Sequence, residues 1–208
     1  MTVSALITAF VTLFVIIEPI GIASVFLALT RGMTPARRRL VGRRACVVAI
    51  GILAAFGLFG QALLSFVGIS IAAFRISGGI LLFLTALDML FERRTQRREG
   101  QVALEDDDHD PSVFPLAMPL LAGPGAMTTM ILLMGRTGPG WMGPAALLAT
   151  MAVVVGIAYL LFQMAGVLNR VLGRTGINVV TRLLGMLLAA LSVQFVIDGV
   201  RAAGVLPG

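Results

Sequence analysis

Six apolar runs, each long enough to cross a bilayer core, constrain this chain more than any motif in it. They cover approximately residues 4–30, 45–67, 70–91, 113–135, 143–168 and 177–200, and a membrane-spanning helix needs about 20 residues. Lipid offers no partner for a backbone amide or carbonyl, so runs of this length must close their hydrogen bonds as helices. The expected class is all-α: a polytopic membrane protein of six transmembrane helices, forming a single transmembrane domain over residues 1–208. Charged residues make up 12% of the chain, where a soluble domain carries about 25%. The first run has no basic region ahead of it and is too long for a signal peptide, so it is expected to remain as a span.

The connections divide the chain. Gly68 and Ser70 leave almost no link between the second and third runs, which predicts a tight antiparallel hairpin. The only long polar segment, residues 92–112, separates a first group of three spans (1–91) from a second (113–208). All 16 basic residues are arginine. Arg31, Arg37, Arg38, Arg39, Arg43 and Arg44 lie in the first connection, Arg93, Arg94, Arg97 and Arg98 in the third, and Arg170 and Arg174 in the fifth. The opposite side holds Arg136 and Arg201, so the count is twelve against two. The positive-inside rule then places both termini outside the cell membrane. The net charge of +6 comes from these clusters, which lack the interleaved aromatics of a nucleic-acid surface. Nucleic acid is not an expected partner, and membrane lipid is. The paired arginines at 93–94 and 97–98 are expected to sit against anionic headgroups.

Two of the runs cannot be smooth helices. Glu18-Pro19-Ile20-Gly21 interrupts the first, and Gly123-Pro124-Gly125 the fourth. Proline removes an amide donor and crowds the preceding turn, while glycine lets the backbone open. Open backbone at membrane depth is tolerated where protein buries it or where it lines a polar cavity. Broken helices in matching places of two halves point to a central binding site between inverted repeats. The halves share further marks. Pro19 precedes Arg75 by 56 residues and Pro124 precedes Arg182 by 58; Arg75-Ile-Ser-Gly78 matches Arg182-Leu-Leu-Gly185, and Gly68-Ile69 matches Gly176-Ile177.

The stretches Glu18-Pro-Ile-Gly21, Ala73-Phe-Arg-Ile-Ser-Gly-Gly-Ile-Leu-Leu-Phe-Leu-Thr-Ala-Leu-Asp-Met-Leu-Phe91 and Pro115-Leu-Ala-Met-Pro-Leu-Leu-Ala-Gly-Pro-Gly-Ala-Met-Thr-Thr129 resemble the MarC family of integral membrane proteins. Its relatives include small neutral amino acid transporters of the SnatA type. The resemblance implies six membrane helices in the inner membrane and, for some relatives, amino acid carriage. Members usually carry Asp or Asn before the proline and Asn after the Pro-x-Gly. Here Glu18 and Ile22 stand in those places, which bears on the substrate and on any ion site the amide serves.

The candidate substrate-binding residues are Glu18, Pro19, Ile20, Gly21, Gly123, Pro124, Gly125, Thr128 and Thr129. A carboxylate inside a span costs about 2.5–3.5 kcal/mol on insertion scales. Glu18 therefore serves either as a proton or substrate-amine site or as a structural cap on the break. Thr128 and Thr129 either offer hydroxyls to a cavity or hold helices together. No cofactor is expected, but a coupling ion, proton or sodium, is. Two structural charge pairs are also expected across the third and sixth spans, Arg75 with Asp198 and Asp88 with Arg182, since membrane charges find partners at their own depth. The alternative is independent snorkelling to the interfaces.

Glu105-Asp-Asp-Asp-His-Asp110 lacks the glycine turn and spaced glutamate of a calcium loop; it is expected to be a solvated cytoplasmic segment, with no metal. The single cysteine, Cys46, permits no intrachain disulfide. No nucleophile–base set, metalloprotease motif or phosphate loop is present, so no enzyme is expected. The function these features imply is a secondary transporter of small neutral amino acids or similar small amphiphilic solutes. The alternative is a channel-like or regulatory membrane protein without coupled transport.

Overall fold

The computed structural model of the chain describes residues 2–91 and 111–204, and among these every regular element is helical. In chain order they are α1 (Val3–Ile17), α2 (Pro19–Leu29), α3 (Pro35–Val67), α4 (Ile71–Leu90), α5 (Ser112–Leu121), α6 (Pro124–Met134), α7 (Met142–Gln163) and α8 (Ala165–Ala202). Val3–Leu29, α3, α4, α7 and the Thr175–Ala202 part of α8 are each long and apolar enough to span a membrane. The pair α5 and α6, bent by 55°, completes a sixth. The acidic run 105–110 and the arginines at 93, 94, 97 and 98 lie outside the described residues.

Local chemistry sets the boundaries. Thr34 caps α3, its Oγ1 accepting from the Arg37 amide at 3.3 Å, and Pro35 occupies the first helical position, where its missing donor costs nothing. Gly68 ends the same helix in the left-handed region (φ 79°). The Ile69 amide then reaches back to the Leu64 carbonyl at 2.8 Å, which closes the turn. Ser70 opens α4 at once, its Oγ accepting from the Ala73 amide. The tight hairpin is as the glycine and serine suggest.

Three boundaries differ from the expectation. The second span, α3, begins at Pro35 rather than near residue 45, so Arg37, Arg38, Arg39, Arg43 and Arg44 project from helical turns instead of a loop. A good cap and a run of strong helix formers extend a helix past the apolar segment. The fifth connection is likewise helical. α8 starts at Ala165 and is broken only at Gly173 (φ 61°, ψ 179°), so Gly176 is an interior helical residue and not the counterpart of the Gly68 turn. Finally, α5 has amide bonds five residues back, Leu116 to Pro111 at 3.2 Å and Ala122 to Ala117 at 2.8 Å, but it is not a regular helix, because Phe114 (φ −124°, ψ 127°) and Met118 (φ −128°, ψ 124°) are extended. Pro115 and Pro119 lie within it, and both follow cis peptide bonds.

The first span is the centre of the bundle. Buried residues fill 67% of its apolar window, against 22–33% for α3, α4, α7 and α8. It packs against α6, α7 and α8. α4 and α8 form the most extensive pair, antiparallel and joined through glycines. A Cβ on Gly79 would stand 2.8 Å from the Ser192 carbonyl oxygen, and one on Gly199 3.0 Å from that of Ala72. Small residues let membrane helices approach backbone to backbone, where dispersion replaces the missing hydrophobic drive.

Candidate functional site

Glu18 is the only non-glycine residue in the left-handed region among those described (φ 54°, ψ 59°). It ends α1, its amide donating to the Phe14 carbonyl at 2.9 Å, and its own carbonyl accepts from the Ile22 amide at 3.1 Å. The hydrogen-bond ladder thus steps across the break, and Pro19 starts α2 where no donor is needed. The side chain folds onto the first turn of α2. A Cβ on Gly21 would lie 2.7 Å from Glu18 Oε1 and 2.8 Å from its Cδ. Gly21 is therefore the seat of the carboxylate, which sits at the positive end of α2. Glu18 is 1% exposed and Pro19 is buried, while Ile20 and Gly21 are half-buried.

The second break is built differently. Gly123 caps α6 in extended backbone, and a Cβ there would stand 2.6 Å from the Pro119 carbonyl oxygen. Pro124 is exposed, with Gly123 and Gly125 half-buried beside it. A Cβ on Gly125 would stand 3.5 Å from Ile16 Cγ2 and 3.0 Å from Leu82 Cδ2. The second break therefore packs directly on α1, two residues ahead of Glu18, and on α4.

From there α6 runs between α3 and α4. Met130 and Met134 cover Gly57, Ile131 covers Gly60, and Thr128 lies on Gly78. Thr128 is thus a packing residue of the α4–α6 contact. Thr129 faces inward, fully buried, and its Oγ1 has no hydrogen-bond partner. A threonine in a helix ordinarily donates back to a carbonyl one turn earlier, so this hydroxyl is the polar group in α6 that helix packing leaves unused.

One of the two expected charge pairs, Arg75 with Asp198, is not made. α4 and α8 do lie side by side, with Arg75 against Gly199 and Ala86 and Met89 against Gly185. Asp198 nevertheless pairs with Arg136, not Arg75. Gln194 Nε2 donates to its other oxygen at 2.8 Å, and the Arg136 guanidinium also covers the Phe195 ring. The reason is reach. Arg136 follows the last turn of α6 and arrives from outside the helix pair, whereas Arg75 is half-buried in the seam with its Nε lacking a hydrogen-bond partner. Asp88 is half-buried and Arg182 exposed near the other end of the same seam. Arg136 was legible as the lone arginine between the fourth and fifth runs, the same end as Asp198. Ile16, which joins the two breaks, and Leu82, which joins the second to α4, carried no signal beyond being apolar.

Among the described residues no cluster of His, Cys, Asp or Glu could hold a metal ion. One cleft of about 430 Å³ lies away from the breaks, lined by Arg43, Arg44, Val47, Val48, Ser112 and Val113.

Comparison with known proteins adds a family to this geometry. The model of the MarC family integral membrane proteins matches residues 3–203. A UPF0056 membrane protein of Methanocaldococcus jannaschii is 40% identical over 204 residues, covering 95% of this chain and 96% of its own. The UPF0056 membrane protein YhcE of Escherichia coli is 35% identical over 205 residues (96% and 92%). The UPF0056 inner membrane protein YhgN of the same organism is 32% identical over 196 residues (94% and 96%). No solved structure matches. With residues 3–203 matched and its helices arranged around two broken spans, the chain belongs to the MarC family of integral membrane proteins.

Proposed function

We propose that this protein is a secondary transporter of small neutral amino acids or similar small amphiphilic solutes. The observation that carries the proposal is the packing of the two breaks against each other through Ile16 and Gly125, with a buried carboxylate on one side and a helix N-terminus on the other. The first amides of α6 have no acceptor one turn back, and they favour a carboxylate, as broken helices do in other carriers. The N-terminus of α2 already carries Glu18. A zwitterion would thus set its carboxylate at α6, beside the Thr129 hydroxyl, and its ammonium at Glu18. A proton or sodium ion would drive the cycle, and no catalytic step is involved.

The inner-membrane name of the relative YhgN and the arginine asymmetry support an inner-membrane location with both termini outside. Reporter fusions test the orientation, and a cytoplasmic C-terminus contradicts it along with the inverted repeat. The transport test is uptake of labelled alanine, serine and glycine into proteoliposomes under imposed proton or sodium gradients. Accumulation that scales with a gradient supports the carrier. A gradient-independent leak makes the protein channel-like, and no flux of any solute removes the proposal.

A further inference from the structure

The two helices that follow the breaks are alike beyond their prolines. α2 and α6 are each 11 residues long, and each starts on its proline. The fifth residue after the proline is Ser24 in the first and Thr129 in the second. Both hydroxyl oxygens are closed off from solvent, and neither has a hydrogen-bond partner. Other hydroxyls of the chain return to the backbone. Thr8, Thr30, Thr85, Thr137, Thr150 and Ser192 each donate to a carbonyl three or four residues back, at 2.6–3.0 Å. That bond is the ordinary one for a helical serine or threonine, and a buried hydroxyl without it costs stability. The same omission at the same position of both helices points to a shared role.

Ser24 stands on the open side of the central span. Ile20, Gly21, Ser24, Leu27 and Ala28 recur at helical spacing and are half-buried or exposed, whereas Pro19, Ile22, Ala23, Val25 and Phe26 are buried. Gly21, over which the Glu18 carboxyl group lies, is one turn before Ser24 on this stripe. Side chains three apart on a helix stand about 5–6 Å from each other, so a small solute can touch the carboxyl group and the hydroxyl together. Thr129 lies on the other side of the contact between the breaks. Phe26 of α2 packs on Gly42 near the start of α3, and Ile131 of α6 packs on Gly60 near its end. The two helices therefore lead away from the contact toward opposite ends of the bundle.

We infer that Ser24 is a solute-binding hydroxyl, the counterpart in α2 of Thr129 in α6, and that one small zwitterion meets the two in turn on either side of the contact between the breaks. The inference rests on the carrier proposed above and adds a residue to its path. At Ser24 the hydroxyl donates to the solute carboxylate, while the solute ammonium faces the Glu18 carboxyl group one turn back. The half-buried stripe from Ile20 to Ala28 then leads the solute toward the end of the bundle where α3 begins.

The test uses the full chain in sealed vesicles of one orientation, with alanine, serine and glycine as solutes. S24C is treated with a membrane-impermeant, water-soluble thiol reagent, and the native chain, whose one cysteine is buried, is the blank. S24C should be labelled from the face on which α3 begins, and a saturating solute should slow the labelling. S24A should raise KM for uptake by about fivefold, the loss of one hydrogen bond, with kcat and the thermal midpoint near native. S24T returns the hydroxyl and should return KM. If S24A does not fold, protection of S24C by solute decides. No labelling from that face would seat residue 24 against lipid or another helix and overturn the inference. Native uptake kinetics in S24A would overturn it as well and leave the carrier standing. No flux through the native chain, with S24C still protected by a solute, would remove the carrier and keep Ser24 as a ligand contact. Absence of both flux and protection would overturn both.

Discussion

The two helix breaks share a proline and flanking glycine but solve different problems. At the first, α1 and α2 remain one span, Pro19 is buried, and a left-handed Glu18 lays its carboxyl group over Gly21. At the second, the axis turns by 55°, Pro124 is exposed, and Gly123 is pressed against a backbone carbonyl. The first break holds a carboxyl group at the centre of the bundle. The second changes the direction of a helix. On the proposed carrier reading, the first break would supply a fixed polar group and the second an element able to re-aim, in separate halves of the chain.

Substitutions at the two glycines separate those roles most strongly. Gly123→Ala drives a Cβ to 2.6 Å from the Pro119 carbonyl oxygen, and backbone cannot step aside as a side chain can. Overpacking of this kind costs about 3 kcal/mol at its upper end, so the variant should show a sharply lowered thermal midpoint and poor yield. Gly21→Ala meets only the Glu18 side chain. It should fold with a loss of about 1 kcal/mol yet transport at a small fraction of the native rate. Equal stability losses at the two positions would erase the distinction between the breaks.

Glu18→Gln keeps the shape of the first break and replaces its carboxyl group with an amide that cannot ionise. Gradient-driven uptake should fall by at least about tenfold, the factor that accompanies about 1.4 kcal/mol of lost interaction, with the thermal midpoint near the native value. Unchanged uptake leaves Glu18 as a structural cap and removes the ammonium site with it.

How much of this was legible in the sequence depended on distance along the chain. The breaks, the Gly68 turn and the six apolar runs are local, and proline, glycine and hydrophobic length announce them directly. What Gly21 is for was not legible, because it depends on where a neighbouring side chain folds. The adjacency of α4 and α8 followed from matching the halves, whereas the partner of Asp198 did not, since pairing depends on which guanidinium can reach the helix end. The arginines in the first turns of α3 read as a loop because hydropathy marks the bilayer and not the helix.

Thr129 sharpens the second break further. Its hydroxyl is buried without a hydrogen-bond partner, and a buried polar group left unpaired costs about 1–3 kcal/mol. Thr129→Val removes that cost at nearly constant volume. The variant should therefore be as stable as the native protein or more so, while affinity for a zwitterionic solute drops. Destabilisation with native uptake would make the hydroxyl helix glue instead.

The smallest effect on stability is expected at the far end of α6, where Arg136 ties the helix after the second break to Asp198. The two side chains remain 39% and 24% exposed, and exposed pairs contribute only about 0–1 kcal/mol. A double-mutant cycle with R136Q and D198N should give a coupling of about 0.5 kcal/mol that weakens as salt is added. The same cycle with R75Q should give less, because the Arg75 guanidinium lies in the α4–α8 seam and Asp198 is already held by Arg136 and Gln194. If the second break re-aims α6 during transport, Arg136 must travel with it, and Asp198 then passes to Arg75, its neighbour across the seam. The Arg75 cycle would in that case give the larger coupling when α6 is trapped in its other position by bound solute. Couplings that stay the same with and without solute would mean that α6 does not move, and the second break would be as fixed as the first.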